Sequence, residues 1–567
     1  MLIVFIIWLY LFIVPLLYGW YIIKGIRIIF RMNSATQPGF ELVWLTGLAA
    51  LAVYTTSVSL FIKIGLTAHL ILAIGAVVLL ILFIRGREIQ SLHIKLRKLP
   101  LLLWVLNGLT TTTVLVNAIY RPANPDTILY HAQMIHWIES YPAVPGLANL
   151  NGRYAYNSAW FMLNALFSLT FLNHGSFHLL SSMGYLVFLG FLMRKIGDLF
   201  EGNIRISHIL AALFLPVSFV LLASDISSPG NDLPVMLFTW LLLLEWMEVF
   251  ENGESQADIR PALLVIISFF MITVKASAFP ILSLPLYYFI VHIRSGRYDV
   301  CLKLTGIGLS IFIPWIARNV ILSGYLIYPI YQIDLFNFDW KVPYQIAHDH
   351  ADVIKLWARF PGVDNEQVLK LPMRIWVPIW FNNFSANQKV IILFAVIEPF
   401  LFGLFALFSP KKLPTIYAGL KTTLYLSLVC LAGIAFWFFT APDLRFGYGY
   451  IMFSFLLGAA VILHWGLKRF AKYRGAAVTI LICALIAFQG FSLYRSIKPR
   501  LVTQYLIAPA GYIELPTQPC KVGNLLIWCS DGWRGCGYEP FPCLASEAVN
   551  VEPRGKKLEN GFRAIVE

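Results

Sequence analysis

The stretch Ser158-Ala159-Trp160-Phe161-Met162-Leu163-Asn164-Ala165-Leu166-Phe167-Ser168-Leu169-Thr170-Phe171-Leu172 decides how this chain is threaded. It is apolar but short. Fully helical, it would reach roughly 22 Å, against the ~30 Å hydrocarbon core of a bilayer. Read as a crossing, it would invert everything downstream. Read as an interfacial or re-entrant helix, it leaves the two halves of the chain in phase. Charge selects the second reading. With 158–172 not crossing, the segments 24–40, 85–99, 194–205, 251–260, 294–303, 411–421 and 467–474 share one face and carry 22 Lys and Arg residues. The short loops opposite are poor in both, as expected when basic loops stay on the cytoplasmic side. Arg495, Lys498 and Arg500, just after the last span, are the local exception.

That argument presupposes a membrane, and composition supplies it. Of 567 residues, 59% are hydrophobic and only 13% charged, too apolar for the cores of a soluble protein to absorb. The expected fold is an all-α polytopic membrane protein. Its spans fall at 2–23, 41–62, 67–84, 100–119, 175–193, 206–223, 231–250, 260–275, 277–293, 303–318, 389–409, 422–439, 447–466 and 475–494, about 14 helices. The first lacks a basic n-region and a small-residue cleavage site, so it reads as a retained helix with its N-terminus outside. The net charge of +14 sits mostly in short loops, which makes it an orientation signal and not a nucleic-acid surface. Three regions result: an N-terminal three-helix extension (1–99), a transmembrane core (100–499) with long outer loops 120–157 and 319–388, and a tail (500–567).

The tail carries Cys520, Cys529, Cys536 and Cys543. An even number of cysteines in a small polar segment suggests two disulfides, with three pairings open. Disulfides persist outside the cytosol, which agrees with the charge argument. A zinc site is disfavoured because no Cys-x-x-Cys pair is present. Cys301, Cys430 and Cys483 lie in or beside helices and read as packing residues.

The orientation puts four polar stretches and the tail on one outer face: 120–157, Ser224–Asp232, 319–388 and Thr440–Arg445. They bring isolated ionisable groups to the membrane edge, where such groups are costly and mark function. Asp126 leads Asn124-Pro125-Asp126-Thr127-Ile128-Leu129-Tyr130-His131. Asp232 follows Asn231 before a span. Lys275 sits at a helix junction in Val274-Lys275-Ala276-Ser277. Arg318 ends a span in Trp315-Ile316-Ala317-Arg318-Asn319, followed by Ser323-Gly324 and Tyr328-Pro329. Arg445 lies in Pro442-Asp443-Leu444-Arg445-Phe446. Carboxylates beside cations suit group transfer: a carboxylate takes the acceptor's proton and cations stabilise a leaving phosphate.

The order of these motifs over roughly residues 100–450 resembles the GT-C class of integral-membrane glycosyltransferases, which use polyprenyl-phosphate-linked sugars. The resemblance implies a transferase of a bacterial inner membrane, multi-pass, with Asp126 and Asp232 catalytic. It implies donor-phosphate binding by Lys275, Arg318 and Arg445, and substrate contacts from Tyr130, His131, Arg153 and Asn231. Asp232 would orient the acceptor or share a divalent cation with Asp126. Two departures stand out. The paired Asp-Glu of protein mannosyltransferase relatives is Asp126-Thr127 here, and three spans precede the motif. Sugar and acceptor are therefore not carried over. The alternatives are a transporter or flippase of lipid-linked substrates, disfavoured by the lack of an internal repeat, and a polysaccharide polymerase or ligase.

Each residue also has a plainer reading. Asp126 and Asp232 could cap helices. His131 and His136, five apart, do not share a helical face and read as satisfied polar contacts. Glu139 and Arg153 could form a local ion pair or a solvated face. Lys275, Arg318 and Arg445 could snorkel to headgroups. His348, Asp349, His350 and Asp352 read as the polar face of an amphipathic helix at about 345–359, and not as a metal site. Gly447-Tyr448-Gly449-Tyr450 is not a potassium filter, which requires symmetry-related loops.

Overall fold

The computed structural model describes residues 1–32, 37–86, 100–173, 177–252, 258–363, 365–408, 414–497, 507–531, 535–545 and 550–565. Much of the expected basic loop 85–99, together with Lys411, Lys412, Lys498 and Arg500, lies outside the described residues.

Among the described residues, eleven helices are long and apolar enough to cross a membrane. They are Leu2–Phe30, Phe40–Ser59, Leu66–Arg85, Leu101–Ala118, Asp232–Asn252, Ala276–Arg294, Tyr298–Ser323, Ala386–Phe405, Leu420–Thr440, Leu444–Arg469 and Ala471–Ile497. The expected spans 175–193, 206–223 and 260–275 are also helices, Leu180–Phe200, Ile206–Leu221 and Arg260–Val274. The first carries charge in its last turns; the other two have only 16 and 15 residues. Arg260–Val274 is almost wholly buried, and most residues of the other two are buried as well. The Asp232–Asn252 helix, buried along nearly its full length, is the centre of the bundle.

The deciding stretch forms a helix over Ala159–Phe167, breaks at Leu169 with φ 55°, and resumes as Thr170–Asn173. Nine residues make about 14 Å of helix, too short to cross. Every residue of Ala159–Phe167 is buried, so the apolar run covers protein and not lipid.

Two local features fix the bundle. Helices Leu2–Phe30 and Phe40–Ser59 cross at Gly19 and Gly47. A Cβ on Gly19 would stand 1.9 Å from the Val43 carbonyl oxygen, and one on Gly47 1.8 Å from that of Pro15. Only glycine permits this approach, the small-residue packing typical of membrane helices. Arg194 and Lys195 are not in the expected loop but in the last turns of Leu180–Phe200. They are drawn into the protein by carboxylates. Arg194 pairs with Glu41, Lys195 with Glu248, and Lys195 Nζ lies 3.2 Å from Glu245 Oε1. Buried charges persist only when paired in this way.

The tail is built mainly of strands, with one 3-10 turn at Leu558–Asn560, which limits the all-α expectation to the membrane body. Strands β1 (Thr517–Val522) and β2 (Leu525–Ser530) form an antiparallel hairpin, with Gly523 at φ 55° in the turn. β3 (Cys543–Leu544) adds in parallel to β2, and β4 (Val551–Pro553) pairs with β5 (Phe562–Ala564). The cysteines pair as Cys520–Cys529 across the hairpin and Cys536–Cys543 across a short loop. That loop sits on the chain following Asp126. The Ile128 carbonyl accepts from Cys536 N (2.9 Å) and Gly537 N (3.1 Å). The Gln133 amide donates to the Tyr538 and Pro540 carbonyls, both at 3.0 Å, and accepts from Cys543 N at 2.9 Å.

Candidate functional site

The chain after helix Leu101–Ala118 turns at Asn124-Pro125, with Asn124 Oδ1 accepting from Asp126 N at 2.8 Å. A wide π-turn, Thr127–His131, leads into helix Ala132–Ser140. Asp126 makes no capping hydrogen bond. Its carboxylate Oδ2 instead accepts from Arg445 Nη1 at 2.7 Å. The cap at the Arg445 end is Asp443, whose carboxylate accepts from Arg445 N at 3.0 Å. Asp443 Oδ2 also lies 3.3 Å from Arg445 Nε.

Asp232 opens its helix beside this pair, with Oδ2 3.9 Å from Arg445 Nη1 and Oδ1 bound by the Lys275 ammonium. Lys275 occupies an extended break between helix Arg260–Val274 and the 3-10 turn Ala276–Leu282. The break is stabilised because the Val274 carbonyl accepts from Ser158 Oγ (2.7 Å) and Asn231 Nδ2 (3.0 Å). Lys275 Nζ and the Arg445 guanidinium lie 4.0 and 4.8 Å from the Phe446 ring centre. Asp126, Arg445, Asp232 and Lys275 thus form one alternating chain of charge, drawn from four separate segments.

Burial opposes ionisation of Asp126, but Arg445, then His131 and Lys275, outweigh it and hold the carboxyl below its usual range. Asp225 behaves oppositely. Burial pushes it up to about 6, against the hydrogen bond from Asn124 Nδ2 (2.9 Å) and with the help of Asp232. Burial, then the carboxylates of Asp126 and Asp232, keep the Tyr130 hydroxyl protonated well above the ordinary phenol range. The Tyr130 hydroxyl makes no hydrogen bond among the described residues, so it is a donor held in reserve.

The remaining candidates divide. Arg153 forms no ion pair among the described residues; its Cζ lies 6.0 Å from the Tyr130 ring centre. His131 is 2% exposed, pushed down to about 4 by burial, and packs against Tyr130 and Phe161. It packs beneath Tyr130, next to the Asp126 segment. Asn231 spends its amide on Val274. Arg318 is not brought to the cluster. It is 2% exposed and faces Ser59, Nη1 to Oγ 3.5 Å, on the same helix face as Trp315, which donates to the Asn157 carbonyl. Glu139 and His136 belong to the tail interface: Glu139 accepts from Tyr538 Oη at 2.5 Å, and His136 stacks on Tyr538 and Phe541.

A divalent cation shared by Asp126 and Asp232 does not fit these residues. Arg445 Nη1 stands between the carboxylates, where the cation would sit. Among the described residues no group of three His, Cys, Asp or Glu side chains is placed to hold a metal. His348 pairs with Asp349 and Asp352 on the face of helix Tyr344–Arg359.

Sequence reasoning missed Asp225, Asp443 and the bridge formed by His350. Tyr156 Oη lies 2.6 Å from His350 Nε2, and Tyr328 Oη 3.1 Å from His350 Nδ1. This links loop 120–157 to loop 319–388 beside Tyr130. Asp225 and Asp443 lay inside stretches already singled out, but a lone acidic residue in a turn has no spacing that separates it from an ordinary turn residue. Neither a curated protein nor a solved structure matches the chain. Residues 1–452 match a family described as Domain of unknown function (DUF8201), and the chain belongs to that family.

Proposed function

We propose that the protein transfers a sugar from a polyprenyl-phosphate donor to an acceptor at the outer face of a bacterial inner membrane. The observation that carries this reading is the ionised Asp126 bound to Arg445 at 2.7 Å within the Asp126–Arg445–Asp232–Lys275 chain. Both cations are already matched by carboxylates, and Asp443 adds a further negative charge. Such a cluster gains a phosphate only by exchange. A donor phosphate draws Arg445 and Lys275 away from Asp126 and Asp232. Asp126 then loses its counter-charge, and its affinity for a proton rises as the acceptor hydroxyl arrives. Arg153, with no carboxylate partner among the described residues, and the Tyr130 hydroxyl supply the first hold on the incoming anion.

In the step itself the acceptor oxygen forms a bond to the anomeric carbon and its proton passes to Asp126. The bond from that carbon to the phosphate oxygen breaks, with inversion, and polyprenyl phosphate leaves. An apolar cleft of about 670 Å³ supports a lipid donor. It is lined by Phe279, Pro280, Leu286, Phe289, Leu309 and Phe436, the first of these four residues after Lys275 in sequence.

The topology that suits this reading has fourteen crossings, with Leu180–Phe200, Ile206–Leu221 and Arg260–Val274 crossing inside the bundle and 158–172 re-entrant. The charge bias of the loops and the disulfide-bearing tail both support an outer site. The test is to incubate the purified protein in lipid nanodiscs with a panel of undecaprenyl-phosphate sugars and broad acceptors. Release of undecaprenyl phosphate together with a glycosylated product supports the reading. Vesicle translocation of the same donors without any release would make the protein a transporter instead.

A further inference from the structure

Glu398 lies in the Ala386–Phe405 span and is 1% exposed. No Lys, Arg or His pairs with it among the described residues. The titratable group facing it is Cys430, on the Leu420–Thr440 helix. Its two carboxyl oxygens are met by hydroxyls from two other spans: Ser427 Oγ is 2.8 Å from Oε1, and Ser454 Oγ 2.9 Å from Oε2.

The count of protons decides its state. Pro399 follows Glu398 and has no N–H, so the Ala395 carbonyl four residues earlier loses its helical donor. Ser454 Oγ fills that gap, 2.8 Å from Ala395 O. A serine hydroxyl has one proton to give. If Glu398 were a carboxylate, Ser454 could serve either Ala395 or Oε2. The other contact would then be two oxygens facing at under 3 Å with no proton between them. One more proton satisfies every contact: Oε2–H donates to Ser454 Oγ, Ser454 Oγ–H to Ala395 O, and Ser427 Oγ–H to Oε1.

We propose that Glu398 is a protonated carboxylic acid that ties the Ala386–Phe405, Leu420–Thr440 and Leu444–Arg469 helices together inside the membrane. The site takes a proton and not a counter-cation from the protein. An ionisable residue kept in a span calls for such a specific account, and burying the neutral acid avoids the cost of an unpaired charge. The Leu444–Arg469 helix also carries Arg445, so this junction seats the polar site's helix without touching substrate.

The test is the infrared spectrum of the purified protein near neutral pH, wild type minus Glu398→Gln. Glutamine reproduces the protonated acid's hydrogen bonds, so the variant folds and melts near the wild type. The expected difference is loss of one protonated-carboxyl C=O stretch, unchanged between sodium and potassium buffers. Loss of carboxylate bands alone overturns the proposal. A C=O band that appears only when sodium is withdrawn makes Glu398 a sodium ligand and overturns it equally. If Glu398→Gln does not accumulate, Ser427→Ala serves. It removes the donor to Oε1 and should move the same band to higher frequency; a spectrum without such a band, or with one that does not move, contradicts the assignment.

Discussion

Arg445 Nη1 and Asp126 Oδ2 meet at 2.7 Å across 319 residues of sequence, and each is only about a quarter exposed. The pair joins the segment after helix Leu101–Ala118 to the start of the Leu444–Arg469 helix. It makes the state of the carboxylate depend on where the guanidinium is.

Arg445→Ala should make Asp126 easier to protonate. In the wild type the carboxyl is held below its usual range, so the pair's stability is complete above the unfolded carboxylate value of about 3.9 and is lost as pH falls through the lower folded one. Without Arg445 burial prevails and the acid limb of unfolding moves to higher pH. At neutral pH the loss should be on the order of 1–2 kcal/mol, since the pair is partly solvated. Thermal melting in detergent between pH 3 and 8 checks both.

His131 and His350 are both pushed down to about 4 by burial. For a group with a lowered folded value, stability is complete above the unfolded value of about 6.5 and falls as pH drops from there toward 4. Melting temperature should decline over that window, and His131→Phe, which keeps the ring packing against Phe161, should flatten the decline. An unchanged slope would mean that His131 is solvated in the folded protein.

Opening the Cys536–Cys543 bridge should disturb Asp126 from behind, because the loop it closes donates two N–H groups to Ile128. Cys536→Ser with Cys543→Ser should cost roughly 2–3 kcal/mol from the lost loop constraint alone. Hydrogen exchange should rise at residues 126–136 more than at the central Asp232–Asn252 helix. Cys520→Ser with Cys529→Ser, confined to the hairpin, should leave that segment protected.

Gly19→Leu should separate the first two helices, since a side chain there meets the Val43 carbonyl. The backbone is the obstacle, so no rotamer relieves it. A large fall in melting temperature or failure to accumulate is expected, while Gly25→Leu, which meets nothing within 4 Å, should be tolerated.

Hydropathy made the eleven long spans legible in the sequence, and shortness set 158–172 apart before its break at Leu169 was visible. What sequence did not reveal has physical causes. Leu180–Phe200 ends seven residues beyond the expected span because Glu41, Glu245 and Glu248 neutralise Arg194 and Lys195, partners remote in sequence. The tail's strands are too short to leave a period. At the site, motif order picked out four residues that converge, Asp126, Asp232, Lys275 and Arg445. It also picked out Arg318, whose helix faces it toward Ser59. Motif order carries no information about which side of a helix is used. The Tyr156–His350–Tyr328 bridge joins three aromatic positions that share no motif.

The central claim is that Asp126 takes the acceptor's proton. It is tested most directly by single-turnover transfer from an undecaprenyl-phosphate sugar, comparing wild type with Asp126→Asn in the same nanodiscs. The account predicts that the variant folds and still binds donor. Its transfer rate should fall by about 10²–10⁴-fold, the usual worth of a positioned general base. Transfer by Asp126→Asn at the wild-type rate would contradict it.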